Sequence, residues 1–222
     1  FFSSSIDILL IDTINITAAN GNYYKIFSQF YNKSSKIKIR KSVKFKYSNF
    51  MSIKSSLKKF NIKNMDRFIL NKNFYEINDN IAINGGRSNG LKKLKNINKF
   101  KNYSTLRNDM SKSTTMLSPH NKFGTISVRE FYHSVKNIPE LTKQLYWRDF
   151  YYYINYHFKK IYDYGHLKHS IICWNFNKEY LNLWKMGKTG FPVIDAAMNE
   201  MNITGYMHNR GRMIVASFLV KD

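Results

Sequence analysis

The sequence predicts a mainly α-helical protein, and three observations lead to this prediction. Ser127 and Glu130 have the spacing of a capping box, which marks the start of a helix. Apolar side chains recur at helical spacing through most of residues 118–222, and no alternating strand pattern occurs after residue 80. The chain of 222 residues is 43% hydrophobic, which is enough to bury a core.

The composition divides the chain into three segments. Residues 1–31 contain the strand-like stretch IDILLIDTINI, and Gly21 interrupts the chain before an aromatic stretch. Residues 32–80 are rich in Ser, Lys and Asn and predict a basic linker with one helix. Residues 81–222 contain every Pro, every Trp and nine of the ten Gly, so we expect a folded, many-turned region there.

The helices of this region follow in order. Ser118 is expected to cap a helix whose first residue is Pro119. The capping box begins a second helix, VREFYHSVKNI, with Phe131, Val135 and Ile138 on its buried face.

Three longer helices are predicted beyond these. The stretch ELTKQLYWRDFYYYINYHF after Pro139 is apolar or aromatic nearly all round, which predicts a largely buried helix. The stretch FPVIDAAMNEM begins a helix at Pro192 with Val193, Ala197 and Met201 on one stripe. The stretch HNRGRMIVASFLV predicts the last helix.

The formal charge of +22 has two explanations. Lysines outnumber arginines 28 to 8, and Asn, Ile, Tyr and Phe are abundant, as codon bias in an AT-rich genome would produce. An anionic partner is the other explanation, but residues 25–101 hold +17 of the charge, mostly in the expected linker. The sequence has no run of 18 apolar residues and no signal-peptide pattern at its start, so we expect an intracellular protein without a membrane span.

Several common motifs fail. Met186-Gly187-Lys188-Thr189 resembles the end of a phosphate-binding loop, but Asn182 stands where that loop requires glycine, and residues 85–90 lack the spacing of a dinucleotide-binding loop. His166, His169 and Cys173 lack a fourth ligand, and with one cysteine in the chain we expect no metal site.

Two helix faces carry unusual polar groups. Gln144, Trp147, Arg148 and Tyr151 share one face of the long helix and could hold a planar polar ligand. From the residues alone, a buried helix with an amphipathic aromatic stripe is the favoured explanation. In the last helix the pair Arg210 and Arg212 is followed by an apolar run, a costly arrangement unless the arginines have partners.

A cluster of hydroxyl side chains precedes the helix that is expected to begin at Pro119. Thr114, Thr115 and Ser118 lie beside the free backbone N–H groups of a helix start, which can bind an anion. Plain helix capping is the alternative.

Taken in order, these stretches resemble the photolyase/cryptochrome family. Residues 187–222, GKTGFPVIDAAMNEMNITGYMHNRGRMIVASFLVKD, resemble its Gly-(Lys/Arg)-Thr-Gly turn and its Trp-Met-His-Asn-Arg-x-Arg-Met helix. QLYWRDFYYYI (144–154) resembles its Trp-Arg-Glu/Asp-Phe helix, and STTMLSPHNKFGTISVREFY (113–132) its Thr-Ser-x-Leu-Ser-Pro segment, with Tyr103 and Arg107 at the expected distance. GGRSNGLKKL (85–94) and NGNYYKIFSQFY (20–31) resemble the entry to its flavin domain and the end of its antenna domain.

The resemblance implies a partial helical FAD-binding domain over residues 81–222, preceded by a short remnant of an α/β antenna domain over 1–31. It implies light-driven repair of DNA, in which excited reduced FAD donates an electron to a pyrimidine dimer flipped out of the duplex. The residues that it places at the cofactor are Tyr103, Thr114, Thr115, Met116, Leu117, Ser118, Arg148, Asn209 and Arg212.

The resemblance places a second set at the damaged DNA, namely Arg107, Gln144, Trp147, Arg148, Asn209, Arg210 and Met213. Within these sets Gln144 and Asn209 are the catalytic residues, and Trp174 is the electron-transfer tryptophan at the surface end of the photoreduction chain. The motif MHNRGRM (207–213) favours cyclobutane dimers over (6-4) lesions, whereas Gln144 stands where many cyclobutane enzymes have Glu. Tyr206 replaces a usual Trp.

The family is about twice as long as this sequence. Because residues 1–31 cannot form a nucleotide-binding sheet alone, we expect no antenna pigment. A partial flavin domain leaves an apolar face exposed, so we expect a complementary C-terminal chain as partner and little repair by these residues alone. A cryptochrome-like flavin photoreceptor, an inert DNA-binding remnant and a general basic nucleic-acid module are the alternative functions.

Overall fold

The computed structural model describes residues 8–42, 78–159 and 177–221, and these ranges are mainly helical and contain no β-strand. Their helices are α1 Phe27–Ser34, α2 Arg87–Lys95, α3 Tyr103–Leu106, α4 Ser118–Lys122, α5 Val128–Val135, α6 Pro139–His157, α7 Lys178–Met186, α8 Pro192–Thr204 and α9 Asn209–Lys221. A short 3-10 helix, Ile97–Phe100, follows α2. The prediction of a mainly α-helical fold is therefore confirmed. Most of the expected linker, residues 43–77, lies outside the described residues, so the helix expected in it stays a prediction.

The long helix α6 organises the larger hydrophobic core. It packs against α1 and α5, and its buried face meets residues from the start of the chain. Phe30 and Phe150 contact each other in this core, and Leu10 and Ile16 belong to the same cluster. The prediction that α6 is largely buried holds for most of the helix, although Tyr151 and Tyr156 are exposed. The division of the chain into segments 1–31, 32–80 and 81–222 stays a prediction.

The strand expected near the start of the chain does not form in its described part. Residues 8–16 run as bends and turns, although Leu9, Leu10 and Ile11 are buried as a core strand would be. Their apolar pattern reflects burial against α6, and no neighbouring strand among the described residues offers the ladder of hydrogen bonds that a strand needs.

The starts of α4 and α5 test the capping predictions. The capping box of α5 is confirmed, since Ser127 accepts from the backbone N–H of Arg129 and Glu130 accepts from that of Ser127. The cap predicted for α4 is wrong by one residue: Leu117 is the N-cap and Ser118 is already helical. The buried side chain of Leu117 holds the chain there, and Pro119 occupies a position whose N–H has no partner within a helix.

A second, smaller core joins α7, α8 and α9. The predicted stripe on α8 is right at Ala197, which is buried, and wrong at Val193 and Met201, which are exposed. Ile194 and Met198 are buried in their place. The reason is that α8 packs against α7 on one side and α9 on the other, which centres its buried face between the two neighbours.

The turn between α7 and α8 holds the glycine of the failed phosphate-loop motif. Gly187 ends α7 with φ of 63°, a left-handed conformation that favours glycine. The carboxylate of Asp195 then accepts from the backbone N–H groups of Thr189 (2.7 Å) and Gly190 (2.9 Å). The motif therefore forms the end of a helix and the turn after it. No described helix is long and apolar enough to cross a bilayer.

Candidate functional site

A cavity of about 590 Å³ opens between α6, α9 and the loop before α4. It brings together nine of the side chains predicted at the cofactor or the DNA. These are Tyr103, Thr114, Thr115, Met116, Ser118, Gln144, Arg148, Asn209 and Arg212. Sequence positions more than a hundred residues apart therefore contribute to one site.

The loop before α4 forms the hydroxyl-rich wall. Thr114 Oγ1 and the Tyr206 hydroxyl lie 3.3 Å apart and hydrogen-bond, which ties this loop to the segment between α8 and α9. Thr115 Oγ1 accepts from the backbone N–H of Leu117 (3.4 Å). Met116 has a φ of 50°, in the left-handed region that a non-glycine residue seldom adopts. Leu117 itself turns into the larger core and does not line the cavity.

The facing wall is one side of α6. Gln144, Arg148 and Tyr151 line the cavity as their spacing predicts. Trp147 does not, because its indole stacks on the ring of Phe27 at 3.6 Å between centroids and 8° between planes. Trp147 therefore packs within the aromatic stripe outside the cavity, whereas the polar side chains beside it line the cavity.

The start of α9 supplies the third wall, with Asn209 and Arg212 toward the cavity. The Arg212 Nε donates to the Met207 carbonyl (3.0 Å), and its guanidinium lies 5.7 Å from the centre of the Tyr206 ring. Arg210 points elsewhere: its Nε donates to Asn108 Oδ1 (3.0 Å), and Met213 lies exposed beside it. Neighbouring arginines of one helix thus have separate surroundings.

Tyr103 is the first residue of α3, and Arg107 directly follows the last residue of that helix. Burial raises the pKa of the Tyr103 phenol, although the positive charges of Arg107 and Arg210 lower it. The phenol therefore stays protonated and can donate a hydrogen bond into the cavity at neutral pH. Arg107 is not among the lining residues.

The residues present fit a dinucleotide such as FAD. The hydroxyls of Thr114, Thr115 and Ser118 are donors for phosphate oxygens, and Arg148 and Arg212 supply the opposite charge. Several tyrosines offer ring faces for a planar group, and the volume suits a ligand of this class.

Two predicted groups fall elsewhere. Trp174 lies outside the described residues, as do His166, His169 and Cys173. Among the residues that the structure describes, no cluster of His, Cys, Asp and Glu could hold a metal ion.

Sequence reasoning missed some lining residues. Tyr152 and Asn155 continue the face of Gln144 and Arg148 at helical spacing, so extending that face by one turn would have found them. Asn121 and Lys122 lie at the end of α4, and Tyr206 lines the cavity as well. No sequence pattern distinguished Asn121 and Lys122 from other surface polar residues.

Comparison with known proteins gives this geometry its context. Residues 141–222 match the family model for the FAD binding domain of DNA photolyase. A deoxyribodipyrimidine photo-lyase of Buchnera aphidicola subsp. Acyrthosiphon pisum is 38% identical over 172 residues. The chain belongs to the photolyase/cryptochrome family. Within the family, a cryptochrome DASH of Synechocystis is 33% identical over 159 residues.

A solved structure supports the family assignment over nearly the whole chain. An archaeal photolyase from Sulfolobus tokodaii, determined with two FAD molecules, superposes with a TM-score of 0.76 at 34% identity and covers 97% of this chain. The match covers 46% of the Sulfolobus chain. The Buchnera match covers 68% of this chain and 33% of the relative. The Synechocystis match covers 32% of its relative, so the chain spans about a third of the length of these two curated relatives.

Proposed function

We propose that this chain binds FAD in its cavity and serves in light-driven repair of ultraviolet-damaged DNA. The observation that carries the proposal is the meeting of nine predicted side chains in one cavity of about 590 Å³. The match of residues 141–222 to the FAD binding domain of DNA photolyase supports it. A DNA substrate implies an intracellular location.

Different walls of the cavity would bind different parts of FAD. Thr114, Thr115 and Ser118 would donate hydrogen bonds to phosphate oxygens, and the Tyr103 phenol would donate another. Arg148 and Arg212 would neutralise the phosphate charge and border the flavin ring. Met116 and Leu117 would contribute backbone groups of the same loop.

The chain's remaining polar groups would hold the damaged base. Bound FAD would supply, on illumination, the electron that opens the dimer. The Gln144 amide would both donate to and accept from the flipped pyrimidine without changing charge, and Asn209 would hold its other edge. Arg107, Trp147, Arg210 and Met213 would contact the surrounding DNA, and Trp174 would carry electrons to the flavin from the surface. We propose cyclobutane dimers as the substrate.

A cryptochrome-like flavin photoreceptor is the second candidate. It is favoured by the 33% identity to the cryptochrome DASH and by Gln144, which keeps the hydrogen bonds of Glu but loses its charge. Both candidates use the same FAD site, so only repair distinguishes them.

We further propose that the second core packs against the remaining C-terminal part of a photolyase-type domain. An apolar groove of about 190 Å³ between α7, α8 and α9 supports this. It is lined by Trp184, Met198, Met201, Met207, Arg212, Val215, Ala216, Leu219 and Val220. Arg212 also lines the FAD cavity, so the groove and the cavity share a wall.

One experiment tests these proposals together. The purified chain is titrated with FAD, alone and with the C-terminal part of the Buchnera photo-lyase, and the flavin absorption is recorded. Loss of cyclobutane dimers from an oligonucleotide is then measured in light and in darkness. We expect FAD binding and light-dependent repair from the pair.

The possible results separate the proposals. No FAD binding in either form would contradict the cavity assignment. FAD binding without repair by the pair would favour the photoreceptor, and full repair by the chain alone would contradict the need for a complementary part.

A further inference from the structure

The start of the chain is held to the helices by charged side chains. Asp149 Oδ2 accepts from the backbone N–H groups of Leu10 (2.9 Å) and Ile11 (3.1 Å). The Arg129 Nη2 donates to the Leu9 carbonyl (3.2 Å), and the Arg148 Nη1 donates to the Ile8 carbonyl (2.8 Å). These bonds take the place of the strand ladder that this segment lacks.

Asp149 is a costly residue at its position, with an exposed fraction of 0%. A carboxylate removed from water costs free energy unless its oxygens accept hydrogen bonds. Here one oxygen accepts two N–H groups, and the other lies 3.5 Å from the Arg148 Nη1. Asp149 thus connects the segment at residues 10 and 11 with the guanidinium of the preceding residue.

The Arg148 side chain contacts both the cavity and the segment at the start of the chain. Its side chain is 19% exposed and lines the cavity, while its Nη1 donates to the carbonyl of Ile8, a residue that does not line the cavity. Its guanidinium carbon also lies 5.0 Å from the centre of the Tyr152 ring. The direction of the guanidinium in the cavity therefore depends on where the Ile8 carbonyl lies.

We propose that Asp149 is a positioning residue for the cavity. By holding the amides of Leu10 and Ile11, it places the Ile8 carbonyl so that this carbonyl orients Arg148 toward the ligand. The inference rests on the proposed function for the identity of the ligand, FAD. It assigns residues 8–11 a part in cofactor binding although none of them lines the cavity.

The test compares Asp149→Ala with Asp149→Asn, whose amide oxygen can still accept from the two amides. Asp195→Ala is the matched control, because Asp195 also holds two backbone N–H groups, but they belong to Thr189 and Gly190 and not to residues 8–11. Phenylglyoxal modification of Arg148 is followed by mass spectrometry, with Arg210 as internal reference, and FAD affinity is measured by titration.

We expect Asp149→Ala to raise the modification rate of Arg148 about fivefold relative to Arg210, because the guanidinium loses its anchor. We expect FAD affinity to fall about tenfold, within the range of coupling between sites. Asp149→Asn should restore most of both values, and Asp195→Ala should change neither. An unchanged Arg148 rate in folded Asp149→Ala, checked by circular dichroism, would overturn the proposal.

A measurement on the unaltered chain covers the case in which Asp149→Ala does not fold. Coupling is reciprocal, so FAD should slow amide hydrogen exchange at Leu10 and Ile11 as well as at residues 114–118. Protection of 114–118 without any at 10 and 11 would contradict the inference. If the unaltered chain binds no FAD, the proposed function fails, and the Arg148 rates still decide whether Asp149 positions the arginine.

Discussion

Arginines in this protein differ in role because of their partners. Arg212 and Arg148 face the cavity, each with one nitrogen bonded to a backbone carbonyl. Arg210 bonds to the Asn108 side chain outside it. A guanidinium held on one side keeps its other N–H groups directed, which favours binding of phosphate in a defined geometry.

The first prediction separates neighbouring arginines. Arg212→Ala should weaken FAD binding about tenfold to a hundredfold, because a hydrogen bond to a charged group contributes about 1.5–3 kcal/mol. Arg210→Ala should leave FAD binding within about twofold and weaken DNA binding instead. Flavin titration and a DNA mobility assay measure the two effects. Equal loss of FAD affinity in both variants would contradict the cavity assignment.

The raised pKa of the Asp149 carboxyl group predicts that the stability of the fold depends on pH. Burial raises the pKa of Asp149 to about 7, although the amides of Leu10 and Ile11 and the charges of Arg148 and Arg129 lower it. Between pH 3.8, the ordinary pKa of the group in the unfolded chain, and about pH 7, the folded chain therefore keeps a proton on Asp149 that the unfolded chain releases. The contribution of this group to stability is present below pH 3.8 and decreases as pH rises toward 7.

The second prediction follows from that sign. The free energy of unfolding of the unaltered chain, minus that of Asp149→Asn, should fall by up to about 1.4 kcal/mol per pH unit across this window. Urea unfolding at several pH values measures it. The difference between the two proteins cancels other groups, such as Glu130, whose pKa the hydrogen bond from Arg87 lowers. A difference that stays constant or rises with pH would contradict the raised pKa.

At the scale of elements, α6 is tied to the start of the chain by a buried phenol. The Tyr153 hydroxyl accepts from the Tyr24 N–H (2.8 Å) and donates to the Ile16 carbonyl (2.9 Å), and the residue is 0% exposed. One side chain of α6 therefore satisfies backbone groups on both sides of the turn at residues 17–23.

The third prediction concerns this tie. Tyr153→Phe should lower the free energy of unfolding by about 2 kcal/mol, because it leaves a half-buried N–H and a buried carbonyl unpaired. Tyr156→Phe is the matched control, since that ring is exposed on the same helix and should change stability by less than about 0.5 kcal/mol. Denaturant unfolding monitors both variants. Similar values for the two would show that the Tyr153 hydroxyl contributes nothing.

For the whole molecule, the apolar groove between α7, α8 and α9 predicts association. Met201 lines the groove and is 38% exposed, whereas Met110 is 41% exposed and lies outside it. Met201→Lys should weaken binding of the C-terminal part of a photolyase-type domain about tenfold or more, because a charge would replace an apolar contact.

The control for this fourth prediction is Met110→Lys, which should leave that binding unchanged. Both variants should keep the stability of the chain within about 0.5 kcal/mol, since both positions are at the surface. Analytical ultracentrifugation of the mixed parts measures the affinity. An equal effect of both substitutions would indicate a general response to charge and contradict the groove as the docking site.

Local chemistry made much of this protein predictable from its residues. The capping box at Ser127 and Glu130 and the helices beginning at Pro139 and Pro192 depend on neighbouring residues, and the structure confirms them. The motifs also indicated the family and nine of the residues that meet in the cavity. Periodicity extended by one more turn would have added Tyr152 and Asn155.

Tertiary contacts decided the rest. Residues 8–11 have the pattern of a strand, yet their hydrogen bonds go to Asp149, Arg129 and Arg148, which are more than a hundred positions away. Trp147 does not line the cavity because its indole stacks on Phe27. Sequence patterns report local preference and average burial, whereas the partner that satisfies a buried polar group or covers a ring depends on the packing of distant segments.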